Sequence, residues 1–271
     1  MTEVISSTKP RVWAVSYLNT VPLVWGMLHG RQRAIFDLSF ALPAECADRL
    51  ASGSADIGIV PVVHLLRQKL EIFRGAGIAC RGPVRSILLI SKIPFSKIRT
   101  LATDSGSRTS VVLARILLAE RYNVEPQLIS LPADLPCMLE QADAALIIGD
   151  PALRLDPAAI PFHSLDLGAE WTQMTGLPMV FAVWAGSKNI WSREREQALV
   201  DSCRYGLSHI DEIGRGEYAA RGITAELAHK YLTQNVVFEL GSKEYEGLDL
   251  FLQRAAQLEH LPVGQKTGGI H

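Results

Sequence analysis

One short run concentrates the residues best suited to binding chemistry: Asp104-Ser105-Gly106-Ser107-Arg108-Thr109-Ser110. An apolar stretch at 98–102 precedes it and a longer one at 111–122 follows, the order of a strand, a tight loop and a helix. The first turn of a helix leaves backbone N–H groups unpaired and carries the positive end of the helix dipole. Here that turn is furnished with four hydroxyls, a guanidinium and a glycine that lets backbone approach a ligand. The chemistry is that of a receptor for a carboxylate or phosphate. An ordinary capped helix start is the other reading, because Ser and Thr are favoured N-caps. One cap uses one hydroxyl, however, and this run offers four.

A second polar cluster, Ser16-Tyr17-Leu18-Asn19-Thr20, follows the strand-like segment 11–16 and precedes Pro22, a residue favoured in the first turn of a helix. Ser16, Asn19 and Thr20 therefore lie at a strand's carboxyl end, where open α/β sheets bind ligands. Asn19 or Thr20 as a simple cap of the next helix is the alternative. Ser86 opens an apolar strand at 86–91, and Gly149-Asp150-Pro151 ends another at 144–148. His64, in the first turn of a helix at 62–70, reads as structural.

The elements that must position these groups alternate between strand and helix. Strands are expected near 11–16, 36–40, 55–61, 72–80, 86–91, 98–102, 127–131, 144–148 and 177–185, with Gly75 and Gly77 kinking the fourth. Everything after 186 reads as helical, with a loose glycine-rich tail at 265–271. The pattern restarts after Pro94, so the expected fold is α/β with two lobes. Residues 1–91 and 186–271 form a discontinuous first lobe and residues 92–185 the second, with extended segments at 85–91 and 179–186 crossing between them. The ligand cleft lies between the lobes. Ser16 and Asn19 face it from one side, Ser105, Ser107, Arg108, Thr109 and Ser110 from the other, and Ser86 sits near the middle. Donors on both walls suit a small molecule with two negative groups, and closure of the cleft would exclude water.

Composition narrows the function classes. A chain of 271 residues is long for one core. A formal net charge of -1 argues against a nucleic-acid binder, which neutralises phosphates with a basic excess. No run of apolar residues is long enough to span a membrane, and the polar start lacks the apolar core of a signal peptide. The four cysteines, Cys46, Cys80, Cys137 and Cys203, are widely separated and form no C-x-x-C pair, so neither a zinc site nor a cofactor motif is expected and free thiols in the cytoplasm are. Oligomeric state is not legible.

Four blocks then carry a resemblance: Ser16-Tyr17-Leu18-Asn19-Thr20-Val21-Pro22-Leu23; the run from Leu50 through Ser52-Gly53 to Ala55-Asp56-Ile57-Gly58-Ile59-Val60-Pro61; Ser105 to Ser110; and Ile147-Ile148-Gly149-Asp150-Pro151-Ala152-Leu153. Tyr231-Leu232 and Gly247-Leu248 in the late helices also fit. In this order and spacing they make the chain similar, over nearly its whole length, to the chorismate dehydratases of the futalosine route to menaquinone. The resemblance implies a type II periplasmic-binding-protein-like fold used as an enzyme, dehydration of chorismate to 3-[(1-carboxyvinyl)oxy]benzoate, and no cofactor or metal. It maps the family's loop asparagine onto Asn19 as the catalytic residue and its hydroxyl-rich helix start onto Ser107-Arg108-Thr109-Ser110, with Gly149 and Asp150 among the substrate-binding residues.

The dehydration removes the C4 hydroxyl and the C3 proton, and aromatisation of the ring drives it. Orientation and proton handling are what remain for the protein to supply. The loop motifs hold no paired carboxylates, so the expected base is one of the substrate's own carboxylates, with Asn19 as the orienting group. Asp150 is a second candidate acid or base, against a role as a turn residue. Tyr17 is a possible proton donor or a packed aromatic, and Arg108 pairs either with a carboxylate of the substrate or with a neighbouring acid. A 1,4-dihydroxy-6-naphthoate synthase-like lyase and a non-catalytic binding protein for a small carboxylate are the rival functions.

Overall fold

The computed structural model describes residues 9–260 apart from Ser105 and Ser107; the tail expected at 265–271 lies outside the described residues. In chain order the strands are β1 (Arg11–Val15), β2 (Asp37–Ala41), β3 (Ile57–Pro61), β4 (Glu71–Cys80), β5 (Ile87–Ser91), β6 (Thr100–Thr103), β7 (Gln127–Ser130), β8 (Ala144–Ile148), β9 (His163–Asp166), β10 (Met179–Gly186) and β11 (Val237–Glu239). They build two sheets, ordered β11-β4-β10-β3-β1-β2 and β7-β6-β8-β5-β9. In the first, β1 runs parallel to β2 and β3 while β10 lies antiparallel between β3 and β4. In the second, β6 runs parallel to β7 and β8, and β5 is antiparallel to β8 and β9.

The central strands are apolar because helices cover both faces. β3, β5 and β8 are buried at every position. Sheets covered on both sides select continuous apolar runs rather than alternation. Helix Val21–His29 starts with Pro22 in its first turn, as expected; Thr20 takes the N-cap position, but its side chain makes no capping hydrogen bond. The kink expected in β4 is present: Gly75 has φ +94° and the ladder with β10 is interrupted between Val183 and Trp184.

Two strands depart from the sequence reading. β9 and the three-residue β11 were not expected, and β11 corrects the all-helical reading after 186. Both lie at sheet edges and are too short or too polar to show alternation. Sheet membership also shifts the crossings. β5, expected to span the lobes, pairs wholly within the second sheet, and β10 pairs wholly within the first. The chain passes between sheets at 81–86 and at 176–178. The first passage is anchored to the end of β9 and to the helix Leu167–Thr175 after it: the Asp166 carboxylate accepts from the N–H of Val84 and Arg85, and Thr172 Oγ1 accepts from Gly82 N–H. Cys80, the last residue of β4, sits directly opposite Met179, the first of β10. No helix among the described residues is long and apolar enough to cross a membrane.

Candidate active site

A narrow cavity lies where the two sheets meet. Its walls come from the carboxyl ends of β1 and β3, the loop after β6, the end of β8, the passage into β5 at Val84–Ile87, and Phe181–Ala182 of β10. Val15, Ile59, Ile78, Ile148 and Phe181 make it largely apolar.

Seven of the residues singled out from sequence converge there: Tyr17, Asn19, Ser86, Arg108, Thr109, Ser110 and Gly149. Ser105 and Ser107 lie outside the described residues. Gly106, between them, lines the cavity and donates its N–H to Asp104 Oδ1 at 2.6 Å, a tight turn ahead of helix Arg108–Tyr122. Thr109 and Ser110 are buried in the first turn of that 15-residue helix, so the cavity receives the positive end of its dipole.

Two expectations are corrected. Ser16 is exposed and does not line the cavity; its backbone carbonyl accepts from Arg221 Nη1 at 3.0 Å. Asp150 is buried but does not line the cavity either. Its carboxylate accepts from Leu18 N–H at 3.0 Å and pairs with Arg221. Gly149, with φ +63°, reverses the chain so that Asp150 points at the neighbouring loop. That carboxylate joins the two lobes and holds the turn Leu18–Thr20 that presents Asn19. Arg221 lies 71 residues beyond Asp150, so nothing local in sequence marks the pair.

Asn19 Nδ2 donates to the Tyr231 hydroxyl at 3.0 Å, and that hydroxyl donates to Ser86 Oγ at 2.8 Å. Asn19 Oδ1 is buried and has no hydrogen-bond partner among the described residues. Tyr17 packs its ring on Gly149: a Cβ there would come within 2.8 Å of it. Burial, followed by the charges of Asp104 and Asp150, pushes the Tyr17 phenol up to about 12. It stays protonated at neutral pH and can donate a hydrogen bond.

Arg108 lines the cavity and also pairs with a neighbouring acid. Its guanidinium forks onto Asp48, with Nη1–Oδ1 at 3.1 Å and Nη2–Oδ2 at 3.3 Å, and Nη1 also meets His64 Nε2 at 3.0 Å. Burial and the Arg108 charge depress His64 to about 4, so the ring is neutral, accepts at Nε2 and is a structural acceptor. Among the described lining residues there is no carboxylate and no imidazole. Sequence reasoning left out Phe181 as cavity wall and gave Tyr231 no site role; only the resemblance had touched Tyr231, because it lies 212 residues from Asn19.

Known proteins match this picture. A family model for menaquinone biosynthesis matches residues 10–257. A chorismate dehydratase of Thermus thermophilus is 29% identical over 255 residues, covering 88% of this chain and 92% of that protein. Among solved structures, an Archaeoglobus fulgidus protein superposes with a TM-score of 0.75 at 18% identity, covering 94% of this chain and 99% of its own. The periplasmic aliphatic sulphonate binding protein of Escherichia coli does so with a TM-score of 0.64 at 13% identity, covering 97% and 94%. The fold is therefore periplasmic-binding-protein-like, with the cavity between its two sheets. By the match across nearly all of its length, the chain belongs to the menaquinone biosynthesis family.

Proposed function

We propose that the protein is a carbon–oxygen lyase that removes water from chorismate to give 3-[(1-carboxyvinyl)oxy]benzoate. The observation that carries this reading is the meeting, in one largely apolar cavity, of Asn19 and Ser86 from one side with Thr109 and Ser110 at a helix N-terminus on the other. The relative named a chorismate dehydratase supports it. In the reaction the C3–H bond breaks, its electron pair becomes part of the ring, and the C4–O bond breaks to release water. Aromatisation supplies the driving force, so holding the reacting groups in line is the main task of the protein.

Thr109, Ser110 and the backbone ahead of them offer a carboxylate seat at the positive helix end. Val15, Ile59 and Phe181 supply the apolar surface for the ring. Asn19 orients the leaving hydroxyl. The proton at C3 goes to the substrate's own carboxylate, which hands it to the departing hydroxide to form water, a role consistent with the absence of a carboxylate or imidazole among the described lining residues. Closure of the five-stranded sheet and its helices over the six-stranded sheet would remove water from the cavity and strengthen each polar contact. The reading places the enzyme in the cytoplasm.

The test is incubation of the purified protein with chorismate, followed by absorbance of the benzoate product and mass spectrometry for the loss of one water. Chorismate that binds unchanged makes the protein a carrier. Inertness toward chorismate with cleavage of cyclic dehypoxanthine futalosine moves it to the neighbouring step.

A further inference from the structure

Behind the cavity wall, a single hydroxyl joins two of the polar groups that line it. Tyr231 is 1% exposed and opens the π-helical turn Tyr231–Asn235. Its oxygen accepts from Asn19 Nδ2 and its proton goes to Ser86 Oγ. A phenol has one proton to give, so these two bonds fix each other's direction. With Nδ2 turned to Tyr231, the amide group of Asn19 has its oxygen left, and Oδ1 has no hydrogen-bond partner among the described residues. With Oγ accepting from Tyr231, Ser86 keeps its own O–H to donate. Asn19 and Ser86 both line the cavity.

We propose that Tyr231 is a positioning residue that sets the polarity of the cavity wall, leaving one acceptor on Asn19 and one donor on Ser86 for the substrate. This rests on the dehydratase reading and deepens it. An acceptor paired with a donor is the complement of a hydroxyl, which gives one proton and takes one. A carboxylate, which only accepts, would use half of the pair. The pair is therefore the seat of the substrate's leaving hydroxyl, and a carboxylate goes to the helix end at Thr109 and Ser110. Reversal of Asn19 would turn the Tyr231 proton toward Oδ1 and the Ser86 proton toward Tyr231. The two wall residues can exchange polarity together, but neither can do so alone.

The test is Tyr231→Phe in the full chain, beside Tyr245→Phe as a control. The Tyr245 hydroxyl is also mostly buried and accepts Gly75 N–H at 2.8 Å, but it does not line the cavity. Tyr231→Phe should lower kcat by roughly 10- to 100-fold, the scale of a misplaced reacting group, with KM for chorismate nearly unchanged. Tyr245→Phe should weaken folding and leave kcat alone. The double variant Asn19→Ala/Tyr231→Phe should lose less than the product of the two single losses, because part of the Tyr231 effect passes through Asn19 and part through Ser86. Wild-type kcat in Tyr231→Phe, or losses that multiply in the double variant, overturns the proposal.

A readout without substrate separates this idea from the reaction itself. One Asn19 side-chain amide proton should exchange slowly in the wild type and rapidly in Tyr231→Phe, as followed by nitrogen-15 NMR. Unchanged exchange overturns the positioning role whether or not chorismate is consumed. A wild type that leaves chorismate intact overturns the dehydratase reading alone. If Tyr231→Phe does not fold, 3-fluorotyrosine at position 231, which makes the hydroxyl a stronger donor at nearly the same shape, must shift the Asn19 amide resonances; no shift overturns the proposal.

Discussion

Replacing Gly149 by alanine should damage both the fold and the reaction, and the two losses can be separated. Gly149 holds φ +63°, a conformation that costs an L-residue about 1–2 kcal/mol. Its added Cβ would also sit 2.8 Å from Tyr17 Cε2 and 2.9 Å from Cδ2 and Cζ. Ordinary contact begins near 3.4 Å, so the ring must shift. Overpacking of this kind costs about 1–3 kcal/mol, for a total of about 2–5 kcal/mol. Gly53 provides the comparison. It holds φ +72° with nothing within 4 Å of its ideal Cβ, so Gly53→Ala should lose only the conformational part, about 1–2 kcal/mol. Chemical denaturation of both variants measures the difference. Tyr17 lines the cavity, so the displaced ring should also reduce turnover of chorismate by folded Gly149→Ala, while Gly53→Ala keeps the wild-type rate. Equal destabilisation of the two variants, together with full turnover in Gly149→Ala, would refute the account of Tyr17 packing.

Asn19→Ala should still bind chorismate, measured by calorimetry, yet turn it over about 10²-fold more slowly, the scale of a lost transition-state hydrogen bond; full activity removes Asn19 from the chemistry. Asp150→Asn should lose about 3–5 kcal/mol in denaturant melts, because it breaks a mostly buried pair with Arg221. Its folded fraction should remain active, since the introduced amide oxygen can still accept from Leu18 N–H and hold the turn that presents Asn19; an intact fold with that turn unmoved by NMR and no turnover would make Asp150 the acid or base after all. His64 gives a pH signature. Its folded value of about 4 lies below the ordinary 6.5, so the unfolded chain binds the extra proton first. Stability from this residue is present above about pH 6.5 and falls as pH drops toward 4, by on the order of 2–3 kcal/mol. His64→Gln should flatten that part of the stability–pH curve, and an unchanged slope refutes it.

Much of this was readable from the chain because strand and helix leave different periods. The hydroxyl-rich turn at Thr109 and Ser110 declares itself by residue type, and Asn19 by its place after β1. Ser16 and Asp150 share that local appearance, yet their roles depend on Arg221, which is distant in sequence. The Tyr231 bridge to Asn19 and Ser86 is hidden for the same reason. The exchange of β5 and β10 between sheets has another cause. A fully buried apolar strand carries no mark of which sheet it joins, so the pairing is decided by tertiary contacts. β11 escaped because three residues cannot establish a period.

The register of Cys80 against Met179 has a consequence for modularity. Facing each other across adjacent antiparallel strands, these residues occupy the place where a hairpin would turn. Everything from 81 to 178 is spliced into that tip. A short reverse turn joining Cys80 to Met179 would cut no ladder of the six-stranded sheet, and a differently shaped insert could hang from the same two anchors. The junction is thus a natural seam at which one half of such a molecule can be exchanged while the other keeps its strand order.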